Sequence, residues 1–150
     1  MLSKPELEQN VNPFQRLDAV VKKLRSKQGC PWDRKQSASS LKKYLLEEAT
    51  ELAEAIEQGS PVDICAEAGD LYFILALLST IFEEQGHFSA EDALEAASTK
   101  MIRRHPQVFA ANQDQRENLD EQQLRAQWER IKQEEKQDNQ SKKGLKTGLK

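Results

Sequence analysis

Apolar side chains recur every three or four residues along most of this chain, the spacing of one helical face, and strict alternation is absent. Phe14, Leu17, Val20, Val21 and Leu24 predict a first helix from Pro13 to Lys27, with Pro13 suited to its first turn. Gln28-Gly29-Cys30-Pro31-Trp32-Asp33 breaks that pattern and reads as a loop. A second helix starts among Ser37 to Ser40, where the serines are natural caps, and stops at Gly59. Ser60 caps a third from Pro61 to Gln85, with Asp63 placed as in a capping box. The link is so short that helices two and three must form an antiparallel hairpin. Ser89, with Asp92 three residues on, opens a fourth helix carrying Ala93, Leu94, Ala97 and Met101 and ending before Pro106. Ala111 to Asn118 is a polar connector, and Leu124, Trp128 and Ile131 mark a last helix from Asp120 to Gln137. The expected fold is all-α: a helical hairpin bundle of four to five helices.

The third helix is apolar over more than one face, through Leu71, Phe73, Ile74, Leu75, Leu77, Leu78, Ile81 and Phe82. Such a helix must be covered on several sides. A domain this small has few helices to do so, and a homodimer or higher homo-oligomer is the expected completion.

Acids interrupt the apolar stripes of the hairpin. At about 100° per residue, Glu48 points with Leu41, Leu45, Leu52 and Ile56. Glu67 points with Ile64, Leu71, Ile74, Leu78 and Ile81, while Glu51 and Asp70 sit at the margins of the two stripes. A carboxylate inside a buried stripe is expensive unless positive charge meets it, and neither helix supplies enough Lys or Arg there. The hairpin brings Glu48 and Glu51 towards Glu67 and Asp70. A divalent cation would neutralise them, and an oxygen-only ligand set favours Mg2+, with Mn2+ as substitute, over zinc. Glu47, Glu54 and Glu57 read, from their positions, as ordinary solvated surface acids.

Composition narrows the class. The chain has 150 residues, 31% of them charged and 37% hydrophobic, which suits a single helical domain over 13–137. Residues 1–12 are expected to be flexible, and the Lys-rich stretch 138–150 a disordered tail. A net charge of −3 argues against nucleic acid as a partner. Cys30 and Cys65 are too few for a disulfide framework and lack metal-ligand spacing, so reduced thiols and a cytoplasmic setting follow. No apolar signal core is visible at the N-terminus, and no apolar run is read as long enough to span a membrane.

Lys100, Arg103 and Arg104 lie within a turn of one another at the end of the fourth helix. The helix dipole alone favours cations there, and three together can also hold a polyphosphate. His105 beside Pro106 reads as a helix-end contact, His87 as surface, Cys30 as a packed thiol, and Trp32 as either a loop anchor or part of a site entrance.

Residues 29–36, 44–49, 67–71, 100–109 and 128–132, in this order, resemble the MazG group of all-α nucleoside triphosphate pyrophosphohydrolases. Gly29-Cys30-Pro31-Trp32-Asp33-Arg34-Lys35-Gln36 is similar to the loop before its acidic helix. Tyr44-Leu45-Leu46-Glu47-Glu48-Ala49 and Glu67-Ala68-Gly69-Asp70-Leu71 resemble its metal-binding segments. Lys100 through Phe109 and Trp128-Glu129-Arg130-Ile131-Lys132 resemble the segments that follow. The resemblance implies hydrolysis of a nucleoside triphosphate between the α and β phosphates, giving a monophosphate and pyrophosphate. It implies Mg2+ held by Glu48, Glu51, Glu67 and Asp70, with Glu48 or the adjacent Glu47 taking the proton of the attacking water. Lys100, Arg104 and, less directly, Arg103 match triphosphate contacts, Trp128 a residue that stacks on the base, and Lys132 a polar contact nearby. The group's helical hairpin dimerises, and some members carry two copies of the domain where this chain has one. Two rival readings are a non-enzymatic dimerisation or regulatory nucleotide-binding module, and a pyrophosphatase narrowed to dUTP, dCTP or phosphoribosyl-ATP.

Overall fold

A computed structural model describes residues 12–109 and 119–146, with side chains through 140. The expectations for 1–11, for the polar connector 111–118 and for 147–150 fall outside the described residues. Among the described residues the chain is all helix: α1 (Pro13–Arg25), α2 (Pro31–Lys35), α3 (Ala38–Gln58), α4 (Pro61–Glu84), α5 (Ala90–Arg104), α6 (Pro106–Phe109) and α7 (Glu121–Lys146). The expected loop around Trp32 and the segment after His105 each contain a short helix, α2 and α6, opened by a proline. Helix α7 runs on to Lys146, so residues 138–146 are helical where a disordered tail was expected.

The caps follow the sequence. The Asn12 side chain accepts from the Phe14 N–H at 2.9 Å. Ser37 and Ser40 exchange side-chain and backbone bonds at 2.9 and 3.1 Å, a reciprocal capping box. Gly59 ends α3 at φ 76°, a left-handed conformation that favours glycine. Ser60 then accepts from the Asp63 N–H at 3.4 Å to open α4. Reciprocal boxes also open α5, through Ser89 and Asp92, and α7, through Asp120 and Gln123. The two hydrogen bonds from Ser89 hold the Asp92 carboxyl below its ordinary pKa.

The chain divides into two compact units, 1–93 and 94–150. In the first, α3 and α4 form the expected hairpin, and α1 packs on α4. Val21, Leu41, Leu77 and Ile81 make the core, lined by Leu17, Tyr44, Phe73, Ala76 and Leu78. Arg25 joins three elements: it donates to both carboxylate oxygens of Glu84 at 2.6 and 2.8 Å, and to the carbonyls of Asp33 and Gln36. Gly29 is required by space, because a Cβ there would lie 2.0 Å from the Leu24 carbonyl oxygen. In the second unit Ile131 of α7 is buried, and Gln127 donates to Gln107 at 2.8 Å.

Helix α4 keeps much of its apolar surface open: Val62, Tyr72 and Leu75 are exposed. By length and composition alone it could cross a membrane. That corrects the expectation that no segment could, since Glu67 and Asp70 interrupt the run without making the helix polar. The same helix supplies Ile74, Leu77 and Ile81 to the buried core.

Candidate active site

Helices α3 and α4 bring three of the predicted acids together. One carboxylate oxygen each from Glu48, Glu67 and Asp70 lies within 4.8 Å of the others. Glu48 and Glu67 are half-buried and Asp70 is exposed, as their positions in the apolar stripes and at the margin require. Glu51 and Glu47 are exposed, and neither joins this group of oxygens. Of the stripe around Glu48, Leu41 is buried and Leu45 and Leu52 half-buried, but Ile56 is exposed.

The site is electrostatically frustrated. Among the described residues no ion pair reaches Glu48, Glu67 or Asp70. The Glu67 Oε2 atom is shut off from solvent and has no hydrogen-bond partner among the described residues. Burial, then the charges of Glu51, Asp70, Glu67 and Glu47, push the Glu48 carboxyl above its ordinary pKa. Burial, then Glu51, Asp70 and Asp63, do the same to Glu67. A hard divalent cation fits this donor set. Glu48, Glu67 and Asp70 would hold such an ion through one carboxylate oxygen each, and it would supply the positive charge that the cluster lacks among the described residues.

The predicted substrate residues gather in the second unit. Lys132 Nζ stands 4.1 Å from the centre of the Trp128 ring, and the Arg104 guanidinium stands 5.9 Å from it. Arg104, His105, Gln107, Leu124, Arg125 and Trp128 line a cleft of about 340 Å³. Lys100 and Arg103 are exposed. The residue that sequence reasoning missed is Glu135, whose carboxylate accepts from Arg104 Nη2 at 2.6 Å and from Nε at 3.2 Å. Its signal was its position: Glu135 lies seven residues, two helical turns, after Trp128 on α7. His105 is a helix-end contact, its Nδ1 2.6 Å from the Met101 carbonyl. His87 is exposed and lies against Phe82. Trp32 packs edge-on against Tyr44 at 5.3 Å, anchoring the α2 segment, and Cys30 is half-buried beside it in sequence.

An all-helical chain with this hairpin has a counterpart of known structure. The crystal structure of a MazG-related protein from Thermotoga maritima matches it with a TM-score of 0.64 and 25% identity, over 79% of this chain and 98% of that one. Residues 36–109 match the MazG nucleotide pyrophosphohydrolase domain, so the chain carries a domain of the MazG type. It is 44% identical over 96 residues to the nucleoside triphosphate pyrophosphohydrolase/pyrophosphatase MazG of Thermotoga maritima, covering 64% of this chain and 38% of that protein. It is 38% identical over 127 residues to the nucleoside triphosphate pyrophosphohydrolase of Escherichia coli (strain K12), covering 84% and 47%. The protein YabN of Bacillus subtilis is 39% identical over 128 residues, covering 85% of this chain and 25% of that protein. The chain thus spans between a quarter and a half of the length of these relatives.

Proposed function

We propose that this chain is a Mg2+-dependent nucleoside triphosphate pyrophosphohydrolase that cleaves between the α and β phosphates, releasing a monophosphate and pyrophosphate. The observation that carries this reading is the convergence of Glu48, Glu67 and Asp70 with no cation paired to them among the described residues. Glu48, Glu67 and Asp70 would hold the ion, with Glu51 joining as a fourth ligand after a side-chain rotation. The bound ion would neutralise charge on the phosphate oxygens and lower the pKa of water. Glu47, exposed and next to the cluster in sequence, or Glu48 itself would take the proton of the attacking water. Lys100, Arg103 and Arg104 supply charge for the triphosphate. Trp128 offers a ring for the base and Lys132 a cation at that ring. Stacking is tolerant of base identity, so a broad range of bases is expected.

Residues 13–137 act as one catalytic domain in this reading. The exposed apolar surface of α4 favours a homodimer, and the acids and core contacts of the same helix favour a cytoplasmic protein over a membrane-spanning one. The functional test is incubation with several NTPs and dNTPs in Mg2+ or EDTA. Pyrophosphate and monophosphate in Mg2+ alone support the assignment; orthophosphate release, or no turnover, overturns it.

A further inference from the structure

The cations at the end of α5 carry their own counter-ion. The Arg104 and Glu135 side chains are 15% and 13% exposed and paired side-on, through Arg104 Nε and Nη2. Arg103 Nε lies 3.9 Å from the same carboxylate, and its Nη2 lies 3.6 Å from Asp138. The hydrogen bonds from Arg104 and the charges of Arg104, Arg103 and Lys100 hold the Glu135 carboxyl below its ordinary pKa, so it stays ionised at neutral pH.

A guanidinium has five N–H donors in a fixed plane. The side-on pair occupies one on Nε and one on Nη2, leaving three, two of them on Nη1. Among the described residues no acceptor meets Nη1. The pair therefore fixes the plane and keeps a donor edge free. Arg104 also lines the cleft shared with Trp128, so that edge belongs to a side chain already at the cleft wall.

We infer that Glu135 is a positioning residue, which holds the Arg104 guanidinium in the orientation that binds the anionic phosphates of a nucleotide. It touches no substrate and acts through Arg104. The inference rests on the reading of this cleft as a nucleotide site. A phosphate group uses the free donors while the carboxylate keeps its own, so binding does not require the pair to break. The structural alternative, a helix–helix ion pair that only adds stability, predicts no change in affinity once the protein is folded.

The test compares the full-length wild type with Glu135→Gln, Arg104→Ala and the double variant. Glutamine keeps the volume and one acceptor but drops the charge, and circular dichroism confirms equal helicity. Two readouts are used: kcat and KM for an NTP in Mg2+, and calorimetric binding of the same NTP with Ca2+ in place of Mg2+. Glu135→Gln is expected to weaken binding and raise KM by about tenfold, the size of a lost charge-assisted hydrogen bond, with kcat within about twofold. In the Arg104→Ala background it should have no further effect. Unchanged or tighter binding by Glu135→Gln, or equal losses with and without Arg104, overturns the inference. A wild type that binds NTP in a Glu135-dependent way but turns nothing over removes the hydrolase reading and leaves this one. A wild type that neither binds nor hydrolyses removes both.

Discussion

Glu48→Gln should stabilise the protein in EDTA and destabilise it, relative to wild type, in Mg2+. Glu48 sits within 4.8 Å of the Asp70 carboxylate, with Glu51 and Glu47 adding like charge. Two unit charges at that distance repel by about 1 kcal/mol when screened as in water. Because Glu48 is only half-buried, the screened figure is the appropriate one. Adding the other acids, removal of its charge relieves on the order of 1–2 kcal/mol. For a chain of this size that raises the thermal midpoint by roughly 2–6 °C. Saturating Mg2+ acts oppositely on the wild type, since an ion binding only the folded state stabilises by about 2.7 kcal/mol at a hundred times its Kd. The variant, with one ligand fewer, should gain far less. The assay is a thermal melt followed by circular dichroism at neutral pH, in EDTA and in a Mg2+ series. The two proteins should exchange order between these conditions. A variant less stable than wild type in EDTA, or equal Mg2+ shifts for both, would refute the reasoning.

Further outcomes follow from the same geometry. In EDTA, Glu48 and Glu67 bind protons more tightly folded than unfolded, so their unfavourable contribution grows as pH rises above the ordinary value of 4.5. The midpoint difference between wild type and Glu48→Gln should therefore shrink on titration from pH 7 towards 4.5, and a difference constant with pH would count against it. Arg25→Ala should lose about 2 kcal/mol in urea unfolding, because it strands the Asp33 and Gln36 carbonyls as well as Glu84. Gly29→Ala should destabilise by roughly 1–3 kcal/mol, as its Cβ meets backbone oxygen that cannot retreat. Leu77→Ala, at a fully buried site, should lose about 2–5 kcal/mol by the same measurement.

The parts of this fold set by local chemistry were legible before any coordinates. Ser37, Gly59, Ser60 and Ser89 bound their helices as capping rules require. The angular positions of Glu48 and Glu67 foretold two half-buried carboxylates that converge. The short helices α2 and α6 escaped, because five and four residues are too few to show a period, although Pro31 and Pro106 marked their starts. Helix α7 overran its expected end because residues 138–146 have no apolar periodicity, and polar composition alone does not separate a solvated helix from a coil. Glu51 falls outside the group of oxygens within 4.8 Å although its charge acts on both Glu48 and Glu67, because helical periodicity fixes a face and not the rotamer of a long side chain. The pairing of Arg104 with Glu135 joins residues 31 apart in the chain, so only the packing of α7 reveals it.

The most direct measurement of the central claim is Mn2+ binding followed by electron paramagnetic resonance, on wild type and on Glu48→Gln, Glu67→Gln and Asp70→Asn, with nucleotide present. Bound Mn2+ in the wild type, weakened by each substitution while helicity is kept, is the predicted result. Mn2+ uptake that is absent in the wild type, or that survives all three substitutions unchanged, would contradict a metal centre on the α3–α4 hairpin.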